Sequence, residues 1–180
     1  GDFEHLSHMI AELPGRLAEL LDSVIERMEL EHSPDVVRCV LSCLVSSRHG
    51  LLEHEELLPI LHERRGISDT QWRDIFLSLK FYLRPLSSAA GATAGRLLDF
   101  FHQQIAKSVR RRYLPVPGGE HDRARDEWQC DVHRLMASHF ERQYAALVAK
   151  GGSGSDSNPI VQQRVMAELP YHLLRSRQES

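Results

Sequence analysis

The 180-residue sequence predicts a mainly α-helical protein with one small β-hairpin. Most apolar residues recur every three or four positions, which is the period of an amphipathic helix. Two short segments, KFYLRPL at 80–86 and RLLDFF at 96–101, are instead rich in aromatic residues and alternate in polarity, as strands do. The run of small residues between them, SSAAGATAG, is typical of a turn.

Two amphipathic helices are predicted before the hairpin. The first begins near Pro14 and ends near His32. Its apolar face follows helical spacing through Leu17, Leu20, Leu21, Val24, Ile25 and Met28. The second has Ser33 as its cap, Pro34 at its first position and Gly50 as its C-terminal cap. Its buried face is predicted to contain Val36, Val37, Val40, Leu41 and Leu44.

Shorter elements follow these two helices. The apolar stretch LLEH predicts a short strand, and EELLPILHERRG predicts a third helix that Pro59 either bends or shortens. Ser68 and Gln71 form a capping-box sequence that starts a fourth helix. The inward residues of that helix are Trp72, Ile75, Phe76 and Leu79. The order helix, short strand, helix, helix, strand, tip and strand predicts a winged helix-turn-helix with a small β-hairpin wing over 34–101.

A helical extension is predicted after the hairpin. The helix HQQIAKSVRRRYL is followed by a break, PVPGGEHD, and then by a long helix. The long helix has an apolar stripe of Trp128, Val132, Leu135, Met136 and Phe140. KGGSGSDSN is predicted to be a flexible linker, native or engineered. Asn158 and Pro159 begin the next helix, and Pro170 is predicted to separate it from a final helix. The predicted regions are a helical segment, a winged-helix domain and a helical extension, at 1–33, 34–114 and 115–180.

Composition limits the classes of function. The formal net charge of -3 gives no overall reason to expect a nucleic-acid or membrane-surface partner. No apolar run approaches the roughly 20 residues of a membrane-spanning helix. Three cysteines, an odd number, favour a reducing compartment, which we expect to be the cytoplasm, with the nucleus as the alternative. The first residues, GDFEHLSH, contain neither an initiator Met nor a signal-peptide pattern, so we expect an excised segment of a longer protein.

The sequence has no motif that predicts catalysis. It contains no GxxxxGK[ST] phosphate-binding loop, so the segment alone is not expected to hydrolyse nucleotide or to be an enzyme. The pairs His5/His8, Cys130/His133 and Cys39/Cys43 each lie on one helical face, but each supplies only half of a structural zinc site. No metal site is therefore predicted, and the paired cysteines of the second helix are interpreted as core thiols.

Four segments together resemble one family. LPGRLAELLDSVIERME, LVSSRHGLLEHEELLPIL, LLDFFHQQIAKSVRRRYL and AELPYHLLRS occur in this order. They resemble the region after the nucleotide-binding core in NACHT-type signal-transduction ATPases of the STAND class. The similarity is greatest to telomerase protein component-like and nephrocystin-like members, whose C-terminal sensors are WD-type propellers or tetratricopeptide repeats.

The resemblance implies a non-catalytic regulatory module. Residues 1–33 would belong to the helical lid, and the winged helix would pack on the nucleotide in the resting state. The expected partners are an upstream nucleotide-binding domain, downstream repeats of the same chain and other proteins. The segment itself holds no cofactor, whereas the full-length protein would bind ADP or ATP. His102 matches the histidine that reaches the ADP phosphates, although Phe101 and Gln103 replace the Met and Asp of the best-known motif.

Two alternatives stay open on the residues themselves. His102 is either a phosphate ligand at a helix N-terminus or a polar first-turn residue, with Phe101, Ile105 and Val109 providing the packing. The alternative function is a winged-helix domain that binds DNA or RNA. Its candidate phosphate contacts are Lys107, Arg110, Arg111 and Arg112. The outward face of the candidate recognition helix and the predicted wing tip are poor in basic residues, and a helix C-terminus also favours cations.

Overall fold

The computed structural model describes residues 2–86, 96–115, 122–149 and 159–177, without the side chains of residues 2–16, 64–65 and 85–86. In chain order, the elements are α1 (Asp2–Glu31), α2 (Pro34–Ser46), β1 (Leu51–Leu52), a π-helical turn (Glu53–Leu57), α3 (Leu58–Arg65), α4 (Asp69–Leu79), β2 (Leu83–Leu86), β3 (Leu97–Phe100), α5 (Gln103–Tyr113), α6 (Arg123–Ala149) and α7 (Pro159–Ser176). The predicted wing tip, most of the break after α5, the linker and its capping Asn158 lie outside the described residues.

The three strands form one small antiparallel sheet in the order β1-β3-β2. Leu51 of β1 is opposite Leu98 of β3, and Leu83 of β2 is opposite Phe100 of β3. The strand before the two central helices therefore pairs with the second strand of the hairpin. This topology confirms the predicted fold class, which is mainly α with the element order of a winged helix and a small β-hairpin.

Gly50 allows β1 to approach β3. It has a φ of +74°, and a Cβ at this position would lie 2.6 Å from the carbonyl oxygen of Leu98. The prediction that Gly50 caps α2 is wrong, because α2 ends at Ser46 and Ser47 is already extended. The Ser47 hydroxyl donates a hydrogen bond to the carbonyl of Leu44 at 2.8 Å, which satisfies an acceptor of the last turn.

The capping box at the start of α4 is confirmed. The Ser68 backbone N–H donates to Gln71 Oε1 at 2.9 Å, and the Gln71 N–H donates to Ser68 Oγ at 3.3 Å. These reciprocal bonds satisfy donors that the first turn of a helix leaves unpaired. The inward residues Trp72, Ile75 and Leu79 are buried, as predicted.

The core extends from the winged helix into the helical extension. Its largest fully buried side chains include Ile25, Met28, Leu41, Leu44, Leu51, Leu57, Ile60, Leu61, Ile75 and Phe140. The α6 stripe contributes Val132, Leu135 and Met136, while Trp128 is half-buried and donates to Ser42 Oγ of α2 at 3.0 Å. All three cysteines are buried thiols, which confirms that Cys39 and Cys43 belong to the core.

Besides the end of α2, three predicted boundaries are wrong, and two of them involve proline. The helix α1 begins at Asp2, not near Pro14, since a proline can kink a helix without ending it when good helix formers lie on both sides. Pro170 lies inside a continuous α7, where close packing of α7 on α6 outweighs the roughly 3 kcal/mol cost of an interior proline. β2 begins at Leu83, because residues 80–82 form a turn after α4.

Helix length and composition also bear on membrane insertion. Among the described residues, no helix combines the length and apolar character needed to cross a membrane.

Candidate functional site

His102 is the residue that precedes the first turn of α5. Its backbone is extended, with φ -121° and ψ 127°, and its side chain makes no capping hydrogen bond. The side chain is exposed and hydrogen-bonds to no other residue that the structure describes. The predicted position at a helix N-terminus is thus confirmed, while contact with a phosphate stays a prediction. His102 directly precedes the first backbone N–H groups of α5, and the N-terminus of a helix is a favourable place for an anion.

Exposed aromatic side chains lie at the same end of the hairpin. Phe101 is 66% exposed and Phe81 is 79% exposed. The Phe101 backbone N–H donates to the carbonyl of Tyr82 at 2.8 Å, so the backbone pairing of the hairpin extends to Phe101 and Tyr82, and Phe81 is the next residue. In the alternative that treats His102 as a polar first-turn residue, the packing role given to Phe101 is therefore wrong, whereas Ile105 and Val109 are buried as that alternative predicts. We call Phe81, Phe101 and His102 the hairpin-end patch.

The basic segment of α5 points in two directions. Arg112 turns toward α1, where its Nη2 donates to Glu29 Oε2 at 2.6 Å and its Nη1 donates to Glu26 at 3.3 Å. Arg111 pairs with Asp22 of α1. Arg110 donates to the backbone carbonyl oxygen of Val45 at 3.0 Å.

These contacts give three of the four basic residues intramolecular partners. Lys107 is exposed and forms no ion pair with any acidic residue in the described ranges. The nucleic-acid alternative therefore gains no support from the arginines, which are the residues expected to contact phosphate.

Glu29 is the centre of the contact between α1 and α5. Its carboxylate accepts hydrogen bonds from Arg112 and from the Tyr113 hydroxyl. Burial alone would raise the pKa of Glu29, but the bonds from Arg112 and Tyr113 lower it below its ordinary value. The carboxylate is therefore held ionised, and it fixes the C-terminal half of α5 against α1.

A buried carboxylate joins α7 to the loop after α2. Glu168 is fully buried, and its Oε1 lies 2.9 Å from His49 Nδ1. Its Oε2 accepts from the Arg48 backbone N–H at 3.3 Å. Burial alone would raise the pKa of Glu168, but contacts with His172, His49 and Arg164 lower it to about 2. Glu168 is therefore ionised at neutral pH, deep between the winged helix and the helical extension.

Arg164 makes the second part of this junction. Its Nε and Nη2 donate to the two carboxylate oxygens of Glu56 at 2.8 and 2.6 Å. Its Nη2 also donates to the carbonyl of Gly50 at 2.7 Å. Burial raises the pKa of Glu56, and the two-pronged contact with Arg164 opposes that shift. The Glu56 carboxylate in turn accepts from the Leu52 N–H at 2.9 Å, so one arginine ties α7 to β1 and the π-helical turn.

Two buried histidines extend the junction into α6. The Nδ1 atoms of His133 and His172 are 2.8 Å apart, so one ring donates and the other accepts. Burial, and then the neighbouring His172 and Arg175, lower the pKa of His133 to about 3. His172 Nε2 lies 3.3 Å from Glu168 Oε2, at an angle outside hydrogen-bond geometry. We call Glu56, Arg164, Glu168, His133 and His172 the junction network.

A further buried carboxylate holds the hairpin. Glu53 Oε1 accepts from Trp72 Nε1 at 3.0 Å, and its Oε2 accepts from Arg96 Nε at 2.8 Å. The run at 53–57 contains three glutamates. Two of them, Glu53 and Glu56, are buried acceptors that join separate elements.

Within the described ranges, no group of three or more His, Cys, Asp or Glu side chains has the arrangement needed to hold a metal ion. No family model, curated protein or solved structure matches this chain.

The sequence reasoning missed the junction network, although one signal for it was visible. Arg164, Glu168 and His172 are four residues apart, so they share one face of α7. Val165 lies next to that face and is fully buried. Three polar residues at helical spacing on a buried face indicate a polar interface, because buried charges in proteins are paired.

Proposed function

We propose that this chain is a non-catalytic regulatory and interaction module of a NACHT-type ATPase. In this proposal, the winged helix packs against an upstream nucleotide-binding domain and holds its ADP-bound resting state. Release of that contact would then be relayed to C-terminal repeats. The observation that carries the proposal is the hairpin-end patch, where His102, Phe101 and Phe81 are exposed at the end of the hairpin that leads into α5.

The chemistry of the patch suits a domain that presents a bound phosphate. Unpaired N–H groups and the positive end of the helix dipole favour a negative charge in front of α5. His102 can add a hydrogen bond from its ring. Phe101 and Phe81 would lose their exposed area on docking, which favours association by roughly 25 cal/mol per Å² of buried apolar surface.

The junction network supports the relay. Arg164 and Glu168 connect α7 to the loop and turn around β1 by charged hydrogen bonds in a buried environment. Breaking these contacts would leave buried charges unpaired, so they resist separation of α7 from the winged helix. A displacement of the winged helix would therefore carry the helical extension with it as one body, toward the expected repeats.

Calorimetric titration with ADP tests the proposal on a longer protein that includes the upstream region. His102→Ala should weaken ADP binding about tenfold, which equals about 1.4 kcal/mol. The matched control is His54→Ala, since His54 is also exposed and lies outside the patch. Unchanged ADP affinity in His102→Ala would assign that residue no part in nucleotide sensing. Absence of ADP binding by the unsubstituted longer protein would overturn the whole proposal.

A further inference from the structure

A cavity of about 520 Å³ lies between the C-terminal half of α5 and the helices α2, α6 and α7. Its size is within the range of roughly 300–1,000 Å³ that is usual for small-molecule sites. Its described lining is Val45, Ser46, Lys107, Arg110, Arg111, Leu114, Pro115, Gln129, His133, Tyr171 and Arg175. The cavity is separate from the hairpin-end patch, which lies at the opposite end of α5.

The described lining contains four cationic side chains and no Asp or Glu. Arg111 is paired with Asp22, which lies outside the lining. Arg110 donates to a neutral backbone carbonyl, and Lys107 has no carboxylate partner within the described ranges. The C-terminal ends of α2, α5 and α7 contribute about half a negative charge each, which is together less than the cations supply. The described part of the lining therefore has an excess of positive charge.

Other lining groups suit a compact ligand with several anionic groups. Arginine guanidinium groups can hold phosphate oxygens through two parallel hydrogen bonds. The Arg175 guanidinium lies 5.8 Å from the centre of the Tyr171 ring, so a cation and an aromatic face stand on the same wall. Val45 and Leu114 add apolar surface. This mixture of apolar walls and a few convergent polar groups is typical of ligand sites.

The shape distinguishes a small ligand from a nucleic acid. A duplex is contacted by cations spread over an exposed surface or a helix lying in a groove. Here Arg112 and Arg111 both form ion pairs with α1. Lys107 and Arg110 line a concavity that α5 shares with α7, and Arg111 also borders it. We propose that this cavity binds a small polyphosphate anion, which bridges α5 and α7. This inference rests mainly on Lys107 and Arg110, which the proposed function does not use, and it does not require the upstream domain.

Calorimetric titration of this chain with inositol hexakisphosphate, and separately with ATP, tests the proposal. Saturable one-to-one binding is expected for at least one of the two probes near physiological salt. A preference for the first would indicate a ring polyphosphate, and a preference for ATP would indicate a nucleotide. Lys107→Gln should weaken binding about tenfold, because one charge-assisted contact is lost. This substitution should leave folding unchanged, since Lys107 is exposed.

Charge-matched controls separate a specific site from general attraction. Lys80→Gln is the control for Lys107→Gln, because it removes the same charge from an exposed lysine outside the cavity. A second cavity variant, Arg110→Gln, is compared in the same way with Arg73→Gln, which also lies outside the cavity. The controls should keep the affinity of the unsubstituted chain. Equal losses in Lys80→Gln and Lys107→Gln would overturn the proposal, as would no binding of either probe. Tighter binding of a DNA or RNA duplex, weakened by the same cavity substitutions, would also overturn it in favour of nucleic acid.

Discussion

Replacement of Glu168 by Gln tests the junction network most directly. The substitution keeps the size of the side chain and removes its charge, so the effect is mainly electrostatic. His49, His172 and the Arg48 N–H would lose an ionised partner, while Arg164 would keep Glu56. Removing one member of a buried ion pair typically costs about 3–5 kcal/mol. Because Arg164 keeps a partner, we expect a loss near the lower limit, about 3 kcal/mol.

The pKa of Glu168 gives a second route to the same magnitude. The pKa is lowered from 4.5 to about 2 in the folded protein. At about 1.4 kcal/mol per unit, this shift corresponds to roughly 3 kcal/mol of stability. A lowered folded-state pKa gives a contribution that is fully present above the unfolded pKa. The contribution is then lost as the pH falls through the folded pKa.

Urea unfolding, followed by circular dichroism and tryptophan fluorescence, measures the effect. The Glu168→Gln chain should be about 3 kcal/mol less stable than the unsubstituted chain near pH 7. The difference should shrink to roughly 1 kcal/mol near pH 3, because the native carboxylate has by then lost most of its advantage. Glu141→Gln, on the exposed face of α6, is the control and should change stability by less than about 0.5 kcal/mol. A loss below about 1 kcal/mol near pH 7, or a difference that does not change with pH, would refute the reasoning.

Substitutions at Gly50 and at Ser68 test the winged-helix geometry, each with a matched control. Gly50→Ala should lower the free energy of unfolding by about 3 kcal/mol, because its Cβ would clash with a β3 carbonyl in addition to the strain of a positive φ. Gly66 also has a positive φ but open space at its Cβ, so Gly66→Ala should cost only about 1 kcal/mol. Similar urea midpoints for these two alanine variants would contradict the close approach of β1 to β3. Ser68→Ala should lower stability by about 1 kcal/mol, because the capping box is lost. Ser68→Thr keeps the hydroxyl and should retain most of that stability in thermal unfolding. An alanine variant as stable as the unsubstituted chain would mean that the cap contributes nothing.

The winged-helix order was predictable because its signals are local. Ser68 and Gln71 are three residues apart, and the alternation that marks the two hairpin strands extends over only a few residues. The error at Gly50 has the opposite origin. Gly50 has a positive φ and lies against the backbone of Leu98, which is distant in sequence. In the sequence alone, a glycine that caps a helix cannot be told from a glycine that lets a strand pack closely.

The junction network was not predictable as a site because its partners are far apart along the chain. Glu56 and Arg164 are separated by 108 positions, and Arg48 and Glu168 by 120. In the sequence alone, a glutamate at 56 with acidic neighbours is equally compatible with an exposed helix start. Glu56 is buried and paired with Arg164 only because α7 packs on the winged helix. The same packing accounts for the continuous helix through Pro170.

The α5 helix links the two proposed binding surfaces. His102 precedes its first residue, and Lys107 and Arg110 lie on its later turns, about 7–12 Å further along at 1.5 Å per residue. Val109 is buried, and contacts to α1 and α2 hold the C-terminal half of α5 in place, so the helix cannot shift at one end alone. A domain docked at His102 and an anion in the cavity would therefore act on one rigid element. The helix α7 lines the same cavity and also belongs to the junction network. A nucleotide-dependent contact at His102 would therefore be coupled, through α5, to the C-terminal helix α7.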